Sequence, residues 1–171
     1  VGTIERMDKW CGHLYNWYDT TTLRPLPPVY VSTVDSGNFV AYLIVVKEGV
    51  TEWAARDSEG EWRERAERLA ARIERLISET DFRPLYDERT QLFALGYHAG
   101  LKQRETILYD LLASEARQAS FLAIATGQVP PSHWFKLGRA MTRSGKHPTL
   151  MSWSGTMFEY LMPALVMRTY R

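Results

Sequence analysis

A single cysteine, Cys11, stands among 171 residues, so no disulfide can close within the chain and a disulfide-stapled framework is excluded. That thiol is expected to be a small buried or half-buried group. His13 two residues on is too little to make it a nucleophile. No run of 18 apolar residues occurs, so no helical bilayer span is expected. An excess of either charge is missing as well. Lys plus Arg number 21 and Asp plus Glu 20, a net +1 that argues against nucleic acid or an anionic membrane as partner. His13, His98, His133 and His147 are scattered without metal-ligand spacing. A glycine-rich phosphate loop, a Gly-x-Ser-x-Gly elbow and paired cysteines are all lacking, which counts against nucleotide enzymes, serine hydrolases and zinc sites. No metal or cofactor is expected. The chain opens on Val1 without a basic-then-apolar leader, and its last apolar segment ends without a Gly or Pro stop. Both ends are therefore expected to be cuts from something longer.

What is present suits one soluble domain: 45% apolar and 24% charged residues, a balance open to a neutral ligand such as a sugar. Pro25, Pro27 and Pro28 keep residues 12–34 out of a helix, and Val29-Tyr30-Val31-Ser32 is locally strand-like. A helix is expected from Asp35 or Ser36, each a suitable N-cap, to about Ala55. Its run Phe39–Val46 is apolar almost all round, which means burial or a strand in disguise. The clearest element is 61–78, where Trp62, Ala66, Leu69, Ile73 and Leu76 form one stripe. Glu61 with Arg65 and Glu64 with Arg68 pair on its wet side, making the arginine run a solvated face. Leu85-Tyr86 and Leu92–Leu95 flank a polar turn and predict a short hairpin. Further helices are expected over 105–126, closed by Gly127, near 131–137, and from about Gly155. Gly138, Gly145 and Pro148 mark a loop between the last two.

Three carboxylates have unusual surroundings. Glu115 falls on the apolar stripe of the expected 105–126 helix, with Leu108, Leu111, Leu112, Ala119 and Leu122, so it must be paired, neutralised or used. A buried ion pair with an arginine and a cleft-lining role both satisfy that demand. Glu159 is the only acid between Thr149 and Arg171 and sits among Met157, Phe158, Leu161 and Met162. Desolvation raises a carboxyl pKa, as a general acid requires, whereas the plain alternative is a satisfied buried glutamate. Asp35 either caps the following helix or faces a ligand. Tyr15, Trp17, Tyr18 and Tyr30 gather just before it, and Trp153 and Tyr160 flank Glu159. Such aromatics build either a core or a saccharide groove.

The blocks Gly12–Thr20, Leu26–Asn38, Phe82–Asp87, Tyr109–Arg117 and Ser152–Pro163, in that order, resemble the glucoamylase-like region of bacterial cyclic β-1,2-glucan synthases over nearly the whole chain. Residues 98–104 depart from the family pattern. The resemblance implies an all-α fold with a small β-hairpin, about half of an (α/α)6 toroid. The chain would be the N-terminal portion (1–171) of that single, incomplete domain. It implies anomer-retaining transglycosylation that cyclises linear β-1,2-glucan, with Glu159 and Glu115 as candidate catalytic carboxylates. A further catalytic group is expected beyond Arg171. Asp35, Asn38, Tyr15, Trp17, Trp153 and Tyr160 are the implied substrate contacts. It further implies a parent chain anchored in the membrane through other domains, with this region on the cytoplasmic side of a bacterial inner membrane. Half a toroid would expose inner-ring surface and is expected to self-associate. The competing readings are a non-catalytic helical module, binding saccharide or a partner, and an inverting β-glucanase with a wider carboxylate separation.

Overall fold

The computed structural model describes residues 1–56 and 61–168. A short helix α1 (Gly2–Arg6) leads into a hairpin of β1 (Lys9–Trp10) and β2 (His13–Leu14). Its turn takes left-handed backbone at Cys11 (φ 49°) and Gly12 (φ 83°). Cys11 is exposed on that turn rather than buried as its residue type suggested. Strand β3 (Tyr30–Ser32) then runs directly into the long helix α2 (Thr33–Arg56). Ser32, not Asp35 or Ser36, supplies the cap: its Oγ accepts the Asp35 N–H at 3.1 Å. Asp35 is thereby moved into the first helical turn with its carboxylate free for other work.

Helix α3 (Glu61–Glu79) follows, with Ile73, Leu76 and Ile77 buried against Val40 and Leu43 of α2. Its outer face carries the expected Arg68–Glu64 pair at 3.2 Å and Arg65–Glu61 at 4.0 Å. Trp62 leaves the predicted apolar stripe. It lies half-exposed, edge-on to Trp53 at 6.3 Å, with the Arg65 guanidinium 4.6 Å above its ring.

The chain then becomes strand-rich. After a 3-10 turn at Arg83–Leu85 come β4 (Tyr86–Asp87), β5 (Leu92–Ala94), β6 (Gly96–His98), β7 (Gln103–Arg104) and β8 (Leu108–Tyr109). They make two antiparallel three-stranded sheets, in the orders β3-β6-β7 and β4-β5-β8. Backbone bonds from Thr33 N to Leu95 O and from Leu95 N to Ile107 O, both 3.0 Å, tie the start of α2 to both sheets. Helices α4 (Arg117–Ala125) and α5 (Ser132–Lys136) follow, then a hairpin of β9 (Met141–Ser144) and β10 (His147–Leu150) turning at Gly145 (φ 60°). Helix α6 (Met157–Leu161) closes the fold with a 3-10 turn at Met162–Leu165. Helix α4 crosses α2 at Gly37, where a Cβ would meet the Ala119 Cβ at 2.6 Å and its backbone at 2.8 Å.

This architecture corrects the all-helical half-toroid. The described residues are 45% helical and 20% strand, in four small sheets, so the protein is mixed α/β. The expected 86–94 hairpin and the helices at 61–79 and 132–136 are present. The expected 105–126 helix begins only at Arg117, because Leu108 and Tyr109 pair with Ala94 and Phe93 instead. The expected loop at 138–148 is largely the β9–β10 hairpin. Among the described residues no helix is long and apolar enough to cross a membrane.

Candidate functional site

Four separated segments bring the sequence-selected acids toward one phenol. Tyr109 ends β8, and burial pushes its hydroxyl up to about 12, helped by the negative fields of Glu115, Tyr30, Asp35 and Glu159. Asp35 comes from the first turn of α2, Glu115 from the turn before α4, and Glu159 from the first turn of α6. The indole of Trp153 packs against the Tyr109 ring at 5.1 Å between centroids. A parallel bridge between Ala113 and Ser152 and a bond from Trp153 Nε1 to Asp110 Oδ1 (2.9 Å) hold it there. Trp153 remains 40% exposed, so it presents an aromatic surface to solvent beside the acids. Tyr109 was not marked by sequence reasoning. Nothing in its local pattern shows which distant acids face it.

Glu159 is 2% exposed, yet it meets no arginine among the described residues. Its carboxylate instead accepts the backbone N–H groups of Ser154 (3.0 Å) and Thr156 (2.9 Å) and the hydroxyls of Ser154 (3.1 Å) and Thr156 (3.3 Å). With Thr156 it forms a capping box at the start of α6. Burial works to raise its pKa, but the donors of Thr156, Ser154 and Ser152 outweigh that and hold it below the ordinary value. The elevated pKa expected for a general acid at this position is therefore replaced by a stabilised carboxylate.

Glu115 does not lie on a helical stripe. It sits half-buried in a turn and joins no salt bridge among the described residues, so the arginine pairing is not made. Arg117, the nearest arginine in sequence, gives Nη2 to the Tyr160 carbonyl at 3.4 Å. Asp35 is exposed and is steered by Asn16. The Asn16 side chain donates to Asp35 Oδ2 (3.2 Å) while its own oxygen accepts the Ser32 N–H (3.2 Å). Asn16 escaped sequence reasoning because its partners lie 16 and 19 residues away. Tyr30 stands in the same field, and burial, Glu105 and Asp35 push its phenol up to about 12.

The aromatic candidates divide. Tyr15 lines a small cavity with Asn16 and Asp35. Trp17 is half-exposed beside Asn16, in a loop whose ends are joined by the Leu26 N to Trp17 O bond. The Tyr160 hydroxyl donates to the Leu150 carbonyl at 2.7 Å, so it braces the β9–β10 hairpin. Asn38, one turn along α2 from Asp35, has a buried Oδ1 with no protein partner. Among the described residues no three His, Cys, Asp or Glu side chains are grouped to hold a metal ion.

No family model matches the chain. It is similar to the cyclic β-(1,2)-glucan synthase NdvB of Rhizobium meliloti (strain 1021), 29% identical over 284 residues, which takes in 98% of this chain and 10% of the relative. The chain is related to that synthase and spans about a tenth of its length. The matched stretch of 284 residues exceeds the 171 present here, so more than 100 positions of that stretch have no counterpart in this chain.

Proposed function

We propose, from this relationship to a cyclic β-(1,2)-glucan synthase, that the chain handles β-1,2-glucan, as part of a transglycosylase that closes the linear polymer into rings. The observation that carries the reading is the convergence of Asp35, Glu115 and Glu159 on Tyr109, with Trp153 stacked alongside. A neutral sugar chain needs an aromatic surface for its ring face and carboxylates for its hydroxyls and glycosidic oxygen. In this scheme Glu159, stabilised in its ionised form, suits a nucleophile or a stabiliser of developing positive charge. Glu115, free of an ion pair, is left as the proton donor. Asp35, Asn38, Tyr15 and Trp17 contact substrate, and Tyr160 acts through the hairpin it braces. The relative's name also supports placing this region in a larger membrane-associated protein, on its cytoplasmic side.

Calorimetric titration with linear β-1,2-glucan is expected to show binding that Trp153→Ala weakens roughly tenfold, the size of losing one buried aromatic contact. Equal affinity for wild type and variant, or no affinity in either, would remove the reading. A second reading, saccharide binding without chemistry, is favoured by the way Glu159's oxygens are taken up by its own loop. Mass spectrometry of the incubated glucan separates the two: cyclic products that vanish in Glu115→Gln support transglycosylation, and unchanged glucan supports binding alone.

Self-association is part of the proposal. Tyr42, Val45, Val46 and Trp53 of α2 and Trp62 of α3 are exposed apolar side chains. Sedimentation at micromolar concentration is expected to give a mass above 19.8 kDa that rises with concentration. A constant monomer mass contradicts it.

A further inference from the structure

A small cavity of about 160 Å³ lies between β2 and the first turn of α2, walled by His13, Tyr15, Asn16, Asp35, Ser36 and Thr80. Two of these side chains are almost completely buried and lack a protein partner for one polar atom: His13 Nδ1 (residue 1% exposed) and Ser36 Oγ (residue 5% exposed). We propose that this cavity is a sugar subsite, in which His13 and Ser36 receive the hydroxyls of one glucosyl unit beside the Asp35 carboxylate. The inference rests on the glucan reading above and adds two residues and a place to it.

The chemistry of the walls selects the ligand. His13 Nε2 lies 2.7 Å from the Asp81 carbonyl, which can only accept, so the ring proton is on Nε2 and Nδ1 offers a bare lone pair. Burial pulls the imidazole pKa down, partly offset by the Asp81 carbonyl and carboxylate, and keeps the ring neutral. Asp35, held through Asn16, also accepts. Ser36 accepts and donates. A guest must therefore bring several O–H donors and no negative charge, which describes a polyol or pyranose ring and excludes a phosphate or carboxylate ligand. At a water's share of ~30 Å³, the space holds about five waters or a single hexose ring, not two. His13 is fixed by the Asp81 bond and an edge-on contact with Phe82 at 5.1 Å, so its lone pair is held in place before a ligand arrives.

The test is nitrogen NMR of the His13 ring during titration with linear β-1,2-glucan, together with Ser36→Ala and Ser36→Val. The expected result is a shift of the Nδ1 resonance at saturation and a loss of affinity in Ser36→Val of roughly tenfold, one buried hydrogen bond plus the filled space. Ser36→Ala, which adds no bulk, is expected to lose less and serves if the valine variant does not fold. Glucan binding with an unmoved Nδ1 resonance and an unweakened Ser36→Ala means that the cavity holds water only; the subsite is then overturned while the glucan reading stands. No glucan binding by the unaltered chain overturns both.

Discussion

Replacing Glu159 by alanine is expected to cost ~2–3 kcal/mol of stability at neutral pH and to loosen residues 152–161, because several hydrogen bonds to one ionised acceptor are lost together. The sign with pH is fixed. A carboxyl held below its ordinary value in the fold contributes stability that is present above the unfolded value, 4.5, and fades as pH falls through the folded one. Denaturant melts of wild type and Glu159→Ala should therefore differ most near pH 7 and converge toward pH 3. A difference that persists in acid would mean that packing, not the carboxylate, is what the variant removed. Because Trp153 adjoins this loop and stacks on Tyr109, the same variant is expected to weaken glucan binding at neutral pH.

The second large effect is expected at Gly12. Its φ of 83° disfavours any side chain, and a Cβ there would strike the Glu79 carbonyl and come within 2.7 Å of the Thr80 Cα. Both obstacles are backbone at the end of α3, which cannot swing aside as a side chain would. Gly12→Ala is expected to destabilise by about 3–5 kcal/mol, combining left-handed strain with overpacking. For a chain of this size that is a fall in Tm of about 10 °C, measurable by circular dichroism. It should also break the His13–Asp81 bond and abolish the cavity beside it. A melting point within two or three degrees of wild type, at roughly the resolution of such effects, would show that the turn can move off α3 cheaply.

Much of the site was legible because it depends on composition out of place. Asp35, Glu115, Glu159 and Trp153 stand out in the chain, and all four face Tyr109. What sequence reasoning lacked was the partner of each. Periodicity places Leu108, Leu111, Leu112 and Ala119 on one helical face, yet a strand at Leu108–Tyr109 wins because β5 offers it an open edge, and a local window cannot see β5. Met141–Ser144 carries no apolar alternation, since all four residues are exposed; only Gly145 hinted at the hairpin turn. Ser32 took the cap expected of Asp35 because Asn16, from a distant loop, fixes both. The pKa of Glu159 went the other way from its apolar sequence neighbours for the same reason. Its shift is decided by nearby donors at 152–156, and those neighbours, Met157, Phe158 and Leu161, are exposed.

The two tryptophan pairings give the molecule separate optical signatures. Trp53 and Trp62, edge-on at 6.3 Å, belong to the α2–α3 hairpin, so near-ultraviolet dichroism from that pair reports whether these helices remain closed. Trp153 lies against a phenol that stays protonated until about pH 12. Its emission is therefore spared quenching by a tyrosinate neighbour across ordinary working conditions, and changes in it register what enters the cleft.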